Sequence, residues 1–191
     1  MNNNVFILND IKEYIVFISQ VKNLSENTSK SYERDLKKLH LFLSDLNISE
    51  YSQISAETCS AWVGSLYSQN NNPKSIQRHL SSAKGFFRFL KKNNLIESSP
   101  FELISAPKSS STLPEVLSPE DVEQLLNFKP TNMIEIRDMA IVELMYSSGL
   151  RVSETANINI SDFEENKTFL RVLGKGSKTR LVPMGRFAIN A

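Results

Sequence analysis

Between Ser98 and Pro119 the chain places four of its seven prolines, Pro100, Pro107, Pro114 and Pro119, together with Ser98, Ser99 and the run Ser109-Ser110-Ser111. Proline fixes its own φ, lacks an amide donor and pushes its predecessor out of the helical region, while serine brings little to bury. The stretch therefore reads as an extended connection, and the chain as two units with a boundary near residues 105 to 113. A length of 191 residues leaves each side enough material for its own core.

The first half carries four helical patterns. One runs roughly from Asn9 to Ser19, with Ile11, Tyr14, Ile15 and Ile18 on one side. A second starts at Ser25 and continues to about Leu46, with Tyr32, Leu36, Leu39, Phe42 and Leu43 apolar and Lys30, Arg34, Lys37 and Lys38 opposite. A third follows Ser55, a candidate N-cap, and offers Cys59, Trp62, Val63, Leu66 and Tyr67 for burial. The fourth begins at Asn72-Pro73, an N-cap followed by a first-turn proline. Its apolar stripe is Ile76, Leu80, Ala83, Phe87 and Leu90; Lys74, Arg78, Arg88 and Lys92 form the other face. Four such helices suffice for a small bundle.

Beyond the prolines the pattern changes. Ser118-Pro119-Glu120-Asp121 is a capping signal for a short helix, and a longer one starts near Met133 and stops at Gly149. Val152 to Asn157 reads as a brief helix, and residues 168–173 and 179–182 as two strands joined by Gly174-Lys175-Gly176-Ser177-Lys178.

The overall charge is uninformative: 22 Lys and Arg stand against 21 Asp and Glu. Its distribution is not. From Pro73 to Ile96 there are six basic residues and no acid. With the basic side of the second helix, this makes a track for backbone phosphates, although an ordinary solvated surface, an acidic protein or an anionic membrane surface would be served by the same charge. Apolar stripes of these dimensions suit internal helix packing better than membrane insertion. One cysteine and two histidines, His40 and His79, assemble no zinc pattern and no disulfide, which points to a reducing compartment, and the lack of an 18-residue apolar run or of signal-peptide regions at Met1 to Leu8 leads to the expectation of a cytoplasmic location. The Gly174–Lys178 turn lacks the spacing of a nucleotide-binding P-loop. Arg151 and Glu154, three apart, could share a helical face as a surface ion pair. Equally, Arg151 and a hairpin lysine, Lys175, are the residue types that fork onto phosphate oxygens and transfer a proton.

Tyr146-Ser147-Ser148-Gly149-Leu150-Arg151-Val152-Ser153-Glu154, continued by Leu173-Gly174-Lys175-Gly176-Ser177-Lys178-Thr179-Arg180-Leu181-Val182-Pro183, resembles tyrosine recombinases of the phage integrase family, especially the bacterial Xer group. Ser31-Tyr32-Glu33-Arg34-Asp35-Leu36 and Phe86-Phe87-Arg88-Phe89-Leu90 resemble the same family's amino-terminal domain. The resemblance implies a mainly α chain. A SAM-like four-helix core-binding domain (1–105) would be followed by a linker (106–117) and the incomplete start of an α/β catalytic domain (118–191). Arg151 and Lys175 would be catalytic and Glu154 would support the arginine; Lys30, Arg34, Lys37, Lys38, Lys74, Arg78, Arg88, Lys92, Lys178 and Arg180 would contact DNA. No cofactor or metal is implied.

The resemblance also implies a recombination-site duplex as partner, a tetramer on two such sites, sometimes with a second recombinase, and a role in chromosome-dimer resolution or mobile-element transfer. Its later His-x-x-Arg segment and nucleophilic tyrosine have no counterpart after Arg186. The chain is therefore expected to be a truncated recombinase that binds DNA and cannot cleave it alone. A catalytically silent regulatory fragment or a nonenzymatic helical scaffold are the competing readings.

Overall fold

The structure, a computed structural model, describes residues 5–105, 116–164, 168–174 and 178–190. The chain divides into two compact units, residues 1–111 and 112–191.

In the first unit, helices α1 (Val5–Val16), α2 (Glu26–Asp45), α3 (Ala56–Ser68) and α4 (Pro73–Lys92) surround one apolar core. The capping signals at Ser55 and Asn72 act as expected, and Ser25 caps α2 in the same way. Ser25 and Ser55 accept from the amides of Thr28 and Thr58, and Asn72 from that of Lys74, each satisfying an amide that lacks an intrahelical partner. Trp62 stands edge-on to His79 and Phe101, at 6.0 and 5.7 Å between ring centres, and Phe87 lies 5.0 Å from Phe101. Cys59 is buried, which pushes its thiol up to about 12.

Two expectations need correction. The first helix starts earlier than Asn9 and does not end as an α-helix: Phe17–Val21 widens into a π turn, with the Lys22 amide donating to the Phe17 carbonyl. Residues 100–103, expected within an extended connection, form a turn in which Phe101 is fully buried and completes the aromatic core, and residues 106–115 of the expected linker lie outside the described residues. Proline and serine around it concealed the burial.

The helix stops were also hidden. Asn23, Asn47, Asn70 and Asn94 all adopt left-handed backbone with φ between 54 and 59°. After α2, α3 and α4 the next residue donates back across the turn: Ile48 to Leu43, Asn71 to Leu66, and Leu95 to Leu90. These bonds satisfy the last carbonyls of each helix with asparagine where glycine is the common choice.

The second unit contains α5 (Pro119–Leu126), α6 (Met133–Ser148), α7 (Val152–Thr155), β1 (Phe169–Leu173), β2 (Thr179–Pro183) and α8 (Arg186–Asn190). Ser118 and Asp121 form the reciprocal cap of α5. Gly149, with φ 60°, ends α6. The two strands pair antiparallel, Leu170 facing Val182 and Val172 facing Arg180. Leu170, Val172, Val182 and Met184 pack with Leu150 in a small core. Helix α6 is apolar around much of its circumference, yet Met133, Ile134 and Tyr146 remain exposed.

Candidate functional site

The turn after α6 places Arg151 and Glu154 at the two ends of the first turn of α7. Glu154 accepts from the Arg151 amide at 2.9 Å, closing the cap, and from Arg151 Nη1 at 3.1 Å. The arginine side chain is otherwise 73% exposed, whereas that of Glu154 is 5% exposed. A guanidinium tied down through one nitrogen and open on the rest presents a fixed cation to solvent.

Glu154 has a second partner. Arg180 Nη1 and Nη2 donate to its two oxygens at 2.9 and 3.0 Å, a bidentate fork. These bonds, then the Arg151 amide, hold the Glu154 carboxyl down at about 2, so it is ionised at every ordinary pH. Strand alternation explains the geometry. Arg180 shares a face of β2 with buried Val182, opposite the inward row Leu170 and Val172 of β1. That row continues to Gly174, where a side-chain carbon would come within 2.9 Å of Arg180 Nη1. The resemblance marked Arg180 as a DNA contact; the structure places it against Glu154. Lys178 is exposed, and its carbonyl accepts from the Gly174 amide at 2.8 Å to close the hairpin neck. Lys175 lies outside the described residues.

On the helical unit the basic residues are less uniform than the sequence implies. Lys30 pairs with Glu26 at 2.7 Å and Lys37 with Glu33 at 2.6 Å, each one turn back on α2. Arg34 donates to Ser31 Oγ, Arg88 to the Lys84 carbonyl, and Lys92 lies 5.7 Å from the centre of the Phe17 ring. Lys38, Lys74, Arg88 and Lys92 are exposed. Arg78 turns inward, with Nη1 2.6 Å from Asp35 Oδ2 and its side chain 39% exposed.

Asp35 escaped the sequence reading, although an acid among the apolar positions Tyr32, Leu36 and Leu39 was a visible signal. It is 2% exposed, and His79 Nδ1 stands 3.2 Å from its other oxygen, within ion-pair reach but out of line for a hydrogen bond. Burial pushes Asp35 up to about 6 against the pull of Arg78. Burial, aided by Lys38 and Arg78, pushes His79 down to about 4. Among the described residues no group of three or more His, Cys, Asp or Glu is arranged to hold a metal, and no helix is long and apolar enough to cross a membrane.

Comparison with known proteins identifies the family. Residues 11–94 match the family model described as phage integrase, N-terminal SAM-like domain, and residues 115–191 that of the phage integrase family. Tyrosine recombinase XerD of Staphylococcus haemolyticus is 39% identical over 176 residues, covering 92% of this chain and 60% of the relative. Tyrosine recombinase XerC of Shewanella amazonensis is 34% identical over 181 residues, covering 95% and 60%. The chain thus spans about three fifths of the length of these relatives.

Among solved structures, XerH recombinase bound to palindromic difH in a post-cleavage complex superposes with a TM-score of 0.69 at 20% identity, covering 100% of this chain and 60% of that one. A lambda integrase dimer bound to a COC' core site gives 0.71 at 17% identity, covering 92% and 61%. These two likenesses establish the shared fold. With both domain models matched in order and Xer relatives above 30% identity, the chain belongs to the phage integrase family of tyrosine recombinases, on its Xer-like side.

Proposed function

We propose that this chain is the DNA-binding, phosphate-engaging portion of an Xer-like site-specific recombinase. The observation that carries this reading is Arg151: one nitrogen is anchored to a buried carboxylate and the rest of the guanidinium is open to solvent, the arrangement an anionic phosphoryl oxygen requires. The exposed cations Arg34, Lys38, Lys74, Arg88 and Lys92 on α2 and α4 would meet the phosphate backbone of a duplex.

In the complete reaction a tyrosine oxygen attacks the scissile phosphorus. A P–O bond forms to tyrosine, the bond to the 5′ oxygen breaks, and that oxygen leaves with a proton from Lys175. Attack by a partner strand's 5′ hydroxyl on the 3′-phosphotyrosyl bond reverses these steps and releases the tyrosine. Arg151 would stabilise the charge that develops on the phosphoryl oxygens in each step. All five tyrosines precede Lys175 in the chain; Tyr14 belongs to the helical unit's core and Tyr32 and Tyr51 pack against it, so the reading assigns the nucleophile to none of them. The parent protein would act as a tetramer on two sites, with or without a second recombinase.

Fluorescence anisotropy with a palindromic recombination-site duplex and a scrambled control tests the reading. Affinity should fall steeply with salt, and Arg34→Gln, Lys74→Gln and Arg88→Gln together should weaken binding to both duplexes and flatten the salt slope by about one unit per lost contact. Binding that ignores salt and the triple substitution refutes it.

A further inference from the structure

We propose that Arg180 is a positioning residue for Arg151: by forking onto both oxygens of Glu154 it keeps that carboxylate from neutralising Arg151, whose charge is then available to an anion. This rests on reading Arg151 as the phosphate seat.

The argument is a charge count with geometry attached. Glu154 Oε1 accepts from Arg180 Nη1 at 2.9 Å and Arg151 Nη1 at 3.1 Å; Oε2 accepts from Arg180 Nη2 at 3.0 Å and the Arg151 amide at 2.9 Å. Two guanidinium groups and one carboxylate leave one unit of positive charge. Arg180 has both terminal nitrogens committed and Gly174 close against Nη1, and its side chain is 39% exposed against 73% for Arg151. The residual charge is therefore presented through Arg151. With Arg180 absent, Glu154 and Arg151 would form a neutral pair, and the seat would lose its attraction for phosphate while every atom of Arg151 remained. A DNA-contact role would need Arg180 to release Glu154; the counter-charge role needs it to stay.

Sulfate serves as the probe, because its charge is constant between pH 4 and 7. It is titrated into the chain at fixed ionic strength while the Arg151 side-chain N–H resonance is followed. At pH 7 Arg180→Gln should weaken sulfate binding about tenfold, equivalent to about 1.4 kcal/mol. Arg180→Lys, which restores the charge without the fork, should recover most of the loss. Acidification toward pH 4 should recover part of the binding in Arg180→Gln, since Glu154, released from its fork though still bonded to Arg151, begins to take up a proton where the wild-type carboxylate stays ionised. A merely structural Arg180 gives no such pH rescue.

Wild-type affinity in Arg180→Gln overturns the proposal, as does a loss that lysine does not repair in a variant whose amide spectrum stays folded. If Arg151→Gln leaves sulfate affinity unchanged, the functional reading of Arg151 fails, and this inference fails with it.

Discussion

Gly85 sits in the middle of α4, where a glycine normally weakens a helix, and replacing it by alanine should nevertheless destabilise the protein. Alanine in a helix interior is worth about 1 kcal/mol over glycine. Against that gain, a side-chain carbon at position 85 would collide with Tyr14 Oη and come within 3.3 Å of the ring carbon bearing it. Tyr14 is 4% exposed and packed by Phe86 and Phe89, with ring centres 5.7 and 5.5 Å away, so making room for the new carbon means shifting its ring within those contacts. Overpacking a site of this kind costs about 1–3 kcal/mol. The difference predicts that Gly85→Ala lowers stability by about 1 kcal/mol.

Tyr14→Phe removes the colliding oxygen, so in that background the alanine should recover much of its helical advantage, giving a coupling of about 1–2 kcal/mol in the double-mutant cycle. Trp62 is the sole tryptophan and is buried in the same core, so urea titration followed by its fluorescence reports this unit alone. A Gly85→Ala variant that gains the full helical increment, with no coupling to Tyr14→Phe, would show that the α1–α4 contact is looser than described.

The asparagine stops give a second prediction. Asn47→Ala should cost about 1 kcal/mol, because alanine pays for left-handed backbone that asparagine visits readily, whereas Asn47→Gly should be neutral or stabilising; equal effects in urea unfolding would contradict the assignment. The Asp35–His79 contact predicts two opposed pH dependences. Asp35, raised to about 6, contributes stability that is full below about pH 4 and lost as pH rises to about 6; His79, lowered to about 4, contributes stability present above pH 6.5 and lost on acidification toward 4. Asp35→Asn should therefore make the helical unit weaken on acidification from pH 6.5 to 4, and His79→Gln should make it strengthen; matching profiles in the two variants would dismiss the pair. Finally, Glu26→Gln with Glu33→Gln should release Lys30 and Lys37 and steepen the salt dependence of DNA binding measured by anisotropy, by up to about two units of slope. An unchanged slope would place those lysines away from the DNA.

Local chemistry alone determined much of this protein. The caps at Ser25, Ser55, Asn72 and Ser118, the stop at Gly149 and the two strands were legible because each depends on residues within a few positions of one another. The Arg151–Glu154 spacing was legible for the same reason, and the family's motifs supplied their meaning. Partners distant in sequence were not readable. Arg180 is 26 residues from Glu154 and Arg78 43 from Asp35, and no periodicity says which acid a base will find. Tertiary structure decided that Arg180 faces a carboxylate at the inward end of a strand, that Arg78 turns toward a buried aspartate, and that Phe101 leaves the proline-rich stretch to fill the aromatic core. The physical reason is common to all three: charge and hydrophobicity state what a side chain needs, and only the packed fold determines which neighbour meets that need.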